Sequence, residues 1–148
     1  MEYSVGRCGR VVSMRLFEGE DLYESIESVA KDENIRCGAV FVTGGFRKAK
    51  VVVGPEQEKP KIVPNFRNFV GPGEVLGVGT VYWDDEGPKL HIHTAAGRGE
   101  ETVVGCPRGG ASVFLILEVT IIEIEGVKAS REFDAETGVK LLRIVQGE

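Results

Sequence analysis

His91-Ile92-His93 holds both histidines of this 148-residue chain. In a β-strand, side chains alternate between faces, so residues two apart project the same way with Cα atoms about 6.6 Å apart, and their ring nitrogens can converge on one ion. Neutral imidazole is the commonest metal ligand, and Zn–N bonds of about 2.0–2.1 Å are within reach of this spacing. Cys106 supplies a third donor. It lies beyond a Gly97-Arg98-Gly99 turn signal, in a segment able to fold straight back on the histidine strand. A turn centred near Gly99 and Glu100 pairs positions whose numbers sum to about 199, which sets Cys106 opposite His93, and directly opposed residues share a face. His91, His93 and Cys106 then make a three-ligand set, leaving a fourth position for water, a carboxylate or a substrate. Nitrogen and sulfur donors favour zinc, or another divalent transition metal, over magnesium or calcium. The residues alone also allow two surface histidines beside a buried cysteine that acts as a small hydrophobe.

The elements that must position these residues are mostly strands. Residues 10–17 alternate as a strand, and Gly19-Glu20-Asp21-Leu22 opens a helix in which Asp21 is the N-cap and Glu24 completes a capping box. Leu22, Ile26, Val29 and Ala30 follow at helical spacing, with Glu24, Glu27, Ser28 and Lys31 opposite, which predicts one amphipathic helix packed on a sheet. Further β-rich runs cover residues 39–43, 49–53, 75–83, 89–95, 101–104, 112–123 and 139–145. Gly54-Pro55, Gly71-Pro72-Gly73 and Asp84-Asp85-Glu86-Gly87 punctuate them, and residues 56–64, charged and bounded by prolines, are the expected mobile loop. Gly44-Gly45 and Gly77-Val78-Gly79 lack the spacing and following helix of phosphate loops, so they read as sites of strand curvature or close packing. The expectation is a single α+β domain spanning residues 1–148, with a mostly antiparallel curved sheet and one main helix.

Composition limits the functions. A hydrophobic fraction of 42% and a charged fraction of 28% are those of a soluble globular protein. Three scattered cysteines at positions 8, 37 and 106 give no disulfide framework, and with no signal-peptide core at the N-terminus the expected location is cytoplasmic. Cys8 and Cys37 have no C-x-x-C partner and read as inert thiols. The longest apolar run, residues 111–122, is too short for a membrane helix and is interrupted by Glu118, so it reads as a buried strand. A net charge of −5, with only a minor basic cluster at Arg47, Lys48 and Lys50, argues against nucleic-acid binding driven by phosphate neutralisation.

The order of several features carries a family resemblance. Arg15-Leu16 precedes Gly19-Glu20-Asp21-Leu22; Gly44-Gly45 follows the second strand; then come the His-Ile-His strand, the Gly105-Cys106 turn, a long strand with Glu118, and Arg131, Asp134 and Gly138. Over residues of about 10–144 this pattern resembles the plants-and-prokaryotes-conserved (PPC) domain. The resemblance implies an α+β fold and a homotrimer, and stand-alone prokaryotic members carry the label PD1-like DNA-binding. Two departures matter. Many bacterial members have a third histidine where this chain has Cys106, and a thiolate can replace imidazole on zinc as the softer ligand. The plant relatives bind A·T-rich DNA through an Arg-Gly-Arg-Pro hook, which Gly6-Arg7-Cys8-Gly9-Arg10 is not. The architecture is also similar to that of acetolactate decarboxylase, a metalloenzyme. That similarity implies a zinc-dependent lyase or hydrolase in which Glu118 is general base or outer partner of the metal; as a structural residue, Glu118 pairs instead with Arg15 or another cation. Three functional classes follow, in order: a small trimeric zinc-binding protein, a DNA- or protein-binding regulator, and a zinc-dependent lyase or hydrolase.

Overall fold

Alternation of apolar and polar residues builds eight strands around one helix in a computed structural model that describes residues 1–57 and 61–145. In chain order these are β1 (Arg7–Phe17), α1 (Leu22–Asp32), β2 (Cys37–Gln57), β3 (Val63–Trp83), β4 (Pro88–Arg98), β5 (Glu101–Pro107), β6 (Ser112–Glu125), β7 (Lys128–Asp134) and β8 (Val139–Val145). Every strand pair is antiparallel. Six strands form one sheet in the order β1-β6-β2-β3-β4-β5, and β7 with β8 makes a separate hairpin. β5 also pairs with β2, at Val51 with Pro107 and Val52 with Cys106, so β2 to β5 curl round and meet at that end. The α+β expectation holds. No helix among the described residues is long and apolar enough to cross a membrane.

Each strand of the large sheet gives alternate residues to the core. Val40 and Val42 of β2, Ile92 of β4, and Leu117, Val119 and Ile121 of β6 pack in one cluster with Leu22, Ile26 and Ala30 of α1. Burying an aliphatic side chain of this size contributes about 1.5–3 kcal/mol. Asp21 caps the helix as expected, accepting from the amides of Tyr23 at 2.8 Å and Glu24 at 3.2 Å. The reciprocal bond from Glu24 to the Asp21 amide is not formed, so only half of the capping box is realised. Instead the residues flanking Asp21 join the sheet: Leu22 donates to Ala111 and Val113 donates to Glu20, each at 3.0 Å.

The strands are longer than their sequence signals. The punctuation at Gly54-Pro55 falls inside β2, and that at Gly71-Pro72-Gly73 falls inside β3, where both are absorbed as breaks in register rather than turns. Of the expected loop at 56–64, residues 58–60 lie outside the described residues, while Glu56 and Gln57 end β2 and Val63 and Pro64 begin β3. β7 carries no strand signal in the sequence. Its sequence, Lys-Ala-Ser-Arg-Glu-Phe-Asp, is polar and poorly alternating, and the strand is held by pairing with β8 at the surface.

Candidate metal centre

β4 presents His91 and His93 on the face opposite Ile92, which is fully buried. The two imidazoles stand edge to face, with ring centroids 5.1 Å apart and planes at 77°. Their Nε2 atoms are 3.3 Å apart. That separation is close to the edge of a tetrahedron built on Zn–N bonds of about 2.05 Å, which is about 3.3 Å. Gly79 makes the backbone approach here possible: it lies opposite Ile92, and a Cβ at this position would stand 2.7 Å from the Cβ of Ile92. The glycine reading as close packing, rather than phosphate binding, is the one the strand geometry supports.

The hairpin turn falls at Gly99 and Glu100, with Gly99 at φ +59°. The β4–β5 register runs from Arg98 opposite Glu101 to Thr94 opposite Gly105 and stops one pair short of His93 and Cys106. At that point β5 leaves β4 and joins β2, with Cys106 opposite Val52. Gly105 is the hinge of the transfer, since any side chain there would collide with the Val52 carbonyl. Cys106 still reaches the histidines: the ligating atoms of His91, His93 and Cys106 lie within 4.8 Å of one another. Two nitrogen donors and one sulfur donor fit a zinc-class ion, and three protein ligands leave a coordination position open.

The surroundings suit metal ligation. Partial burial, then the positive charge of Arg131, with His93 and Arg108 adding to it, holds His91 below its ordinary pKa and keeps the ring neutral. Cys106 is buried, and its Sγ lies 3.8 Å from the Tyr23 hydroxyl, which donates to the Pro107 carbonyl. Burial and the neighbouring Cys106 push the Tyr23 phenol up, so it remains a protonated donor. No sequence signal marks Tyr23, which looks like one more residue on an amphipathic helix; its link to Cys106 spans 83 residues.

Glu118 is not part of this cluster. The register aligns it with Thr43 on β2, which aligns with Leu76 on β3 and then Ala95 on β4. Three strand spacings of about 4.8 Å, roughly 14 Å measured along the curved sheet, therefore lie between it and the histidine strand. It does face Arg15 across the β1–β6 pair, but the Arg15 guanidinium sits over the Phe17 ring, 5.1 Å from its centroid, and forms no ion pair with Glu118. Trp83 donates to the Ile35 carbonyl at 2.7 Å under Arg36, Tyr82 is buried, and burial raises the thiol of Cys37.

Known structures share this architecture. A metal-containing protein from Archaeoglobus fulgidus is 26% identical, with a TM-score of 0.83 over 95% of this chain and 98% of its own. A plant- and prokaryote-conserved protein from Pyrococcus horikoshii is 25% identical, with a TM-score of 0.83 over 97% of each chain. A DNA-binding protein by name, from Ralstonia eutropha, is 19% identical with a TM-score of 0.74 over 88% of this chain and 89% of its own, a likeness of fold alone. No curated protein matches the sequence. The family model for the Plants and Prokaryotes Conserved (PCC) domain, the PPC domain of the sequence comparison, matches residues 3–125, and the chain belongs to that family.

Proposed function

We propose that this chain is a transition-metal-binding protein that holds zinc through His91, His93 and Cys106 and works as a homotrimer. The observation that carries the metal reading is the convergence of the three donors within 4.8 Å, with the two imidazole nitrogens already at a chelating separation of 3.3 Å. The name of the Archaeoglobus relative, a metal-containing protein, supports it. Elemental analysis of untagged protein should give about one zinc-class ion per chain, and His91→Ala, His93→Ala and Cys106→Ala should each lose it while remaining folded. Folded wild type that stays metal-free after incubation with zinc would refute the reading.

The trimer reading rests on the family and on the outer face of the sheet. Register places Val78, Phe41, Thr120 and Ser13 in one row across β3, β2, β6 and β1, and Thr80, Ala39, Ile122 and Val11 in the next. Val78 is 60% exposed, Phe41 43% and Val11 62%, so the face carries apolar area of the kind that marks association.

The other classes have less support. A lyase or hydrolase needs a general base at the metal, and Glu118 stands about three strand spacings away. A DNA-binding protein needs a basic face, but Arg47 is paired with Glu18 and Lys50 sits over the Phe66 ring, 4.3 Å from its centroid.

A further inference from the structure

A cavity of about 740 Å³ opens beside His91. This is the size of sites that take small organic molecules, typically about 300–1,000 Å³. Leu90 of β4 and Val139, Leu141 and Leu142 of β8 give it an apolar wall. Its charged lining is unevenly matched. Lys140 bonds Asp84 at 2.7 Å, Lys89 bonds Glu86 at 3.1 Å, and Glu27 accepts from the Leu90 amide at 2.9 Å. These contacts engage every acidic group of the lining. Arg108 and Arg131 have no carboxylate partner among the described residues.

Arg131 is the more telling of the two. Its Nε is sealed from solvent and bonds to nothing, while its Nη2 donates to the Thr80 hydroxyl at 3.3 Å. Thr80 lies directly opposite His91 in the β3–β4 register, so the guanidinium stands at the edge of the candidate metal centre. A guanidinium stays charged even when burial disfavours it, and an unmatched charge in such a place is stabilised by an anion that accepts its forked hydrogen bonds. A zinc ion with two neutral imidazoles and one thiolate adds a further net positive charge.

We propose that this cavity binds a small organic carboxylate with a short hydrocarbon body, its anionic group gripped by Arg131 and Arg108 and its tail against the leucine wall. The carboxylate then lies beside the coordination position that His91, His93 and Cys106 leave open, a placement that rests on the metal reading above. The arginine grip itself does not need the ion. Inorganic phosphate could satisfy the guanidinium fork equally well, but it has no use for the apolar wall.

Calorimetric titration separates these terms. Zinc-loaded protein of measured metal content, and the same protein stripped with chelator, would be titrated with hexanoate, acetate and inorganic phosphate. Hexanoate should bind one per chain, more tightly than acetate or phosphate, and more tightly to the loaded than to the stripped form. Arg131→Gln should weaken hexanoate about tenfold, and Arg108→Gln several-fold, with metal content unchanged. Arg108 is exposed, so its variant carries the comparison if Arg131→Gln does not fold. Zinc-loaded protein that ignores hexanoate, binds it independently of both arginines, or prefers phosphate would overturn the inference and leave the metal reading intact. Arginine-dependent hexanoate binding by protein that takes up no zinc would support the cavity's role and refute the metal reading instead.

Discussion

At the scale of single residues, the centre depends on how its donors are held as much as on what they are. His91 and His93 are set by strand alternation, but Cys106 sits where one strand leaves its neighbour, and its surroundings come from the helix. The Tyr23 hydroxyl, 3.8 Å from the sulfur and bonded to the next residue's carbonyl, fixes both the Cys106–Pro107 backbone and the environment of the thiol. Groups that orient metal ligands in this way typically change affinity about 10–100-fold when removed. Tyr23→Phe should therefore keep the fold and the metal stoichiometry but weaken zinc about tenfold, read by competition with a chromophoric chelator. Unchanged affinity would reduce Tyr23 to a packing residue. His91, His93 and Cys106 were legible because their chemistry is rare in this chain and their spacing short. Tyr23, Arg108 and Arg131 were not, because a tyrosine on a helix, an arginine just past a strand end and an arginine within a polar strand are ordinary until the fold brings them to one cavity.

At the scale of elements, two junctions decide whether the site exists. Gly105 lets β5 pass from β4 to β2, and a methyl group there would meet the Val52 carbonyl and, at 2.9 Å, the Val51 side chain. Gly105→Ala should push Cys106 out of reach, lowering thermal stability and zinc affinity together; a variant that keeps wild-type zinc affinity would show that the strand transfer does not position the thiol. The second junction ties the β7–β8 hairpin to the β3–β4 turn through Lys140 and Asp84, and so closes one wall of the cavity. Burial pushes the Asp84 carboxyl up, but the bond from Lys140 and the Glu86 amide outweigh it and hold the group below the usual carboxylate range. A carboxyl lowered in the folded state stabilises it above the unfolded value of about 3.9, and that contribution is lost as pH falls through the folded value. The protection of the hairpin amides, corrected for intrinsic exchange, should thus fall below about pH 4, and Asp84→Asn should weaken that dependence, leaving the part carried by Asp85, which Lys140 also bonds at 2.7 Å. The β4–β5 register and the cap at Asp21 could be read from the sequence because local turn and helix chemistry determine them. The continuity of β2 and β3 through their glycine-proline pairs could not, because partner strands on both sides override the local signals. β7 was hidden for the opposite reason, its strand conformation coming from one partner and almost no buried pattern.

At the scale of the whole molecule, the sheet has one face buried under the helix and another on which exposed apolar side chains lie beside Thr43, Arg15 and Glu118. Rows of side chains run across four strands on that outer face, and Val11, Phe41, Leu76 and Val78 are all more than two-fifths exposed. Scattered apolar residues are normal on a surface, but a contiguous set in register is what an interface presents. Closed cyclic assembly buries such a face in every copy without leaving an open end. The chain should therefore sediment as a trimer at micromolar concentration. Placing a carboxylate in the middle of the rows, with Phe41→Glu, leaves a charge that association would have to desolvate, and the same change at Val11 does so at the edge. Phe41→Glu should shift the mass toward the monomer over a range where the wild type stays assembled, and Val11→Glu should act in the same direction but less. Neither residue touches the candidate ligands, so both variants should still load zinc. A wild type that is monomeric at micromolar concentration would contradict the assembly, and variants that remain trimeric would place the interface on another surface of the fold.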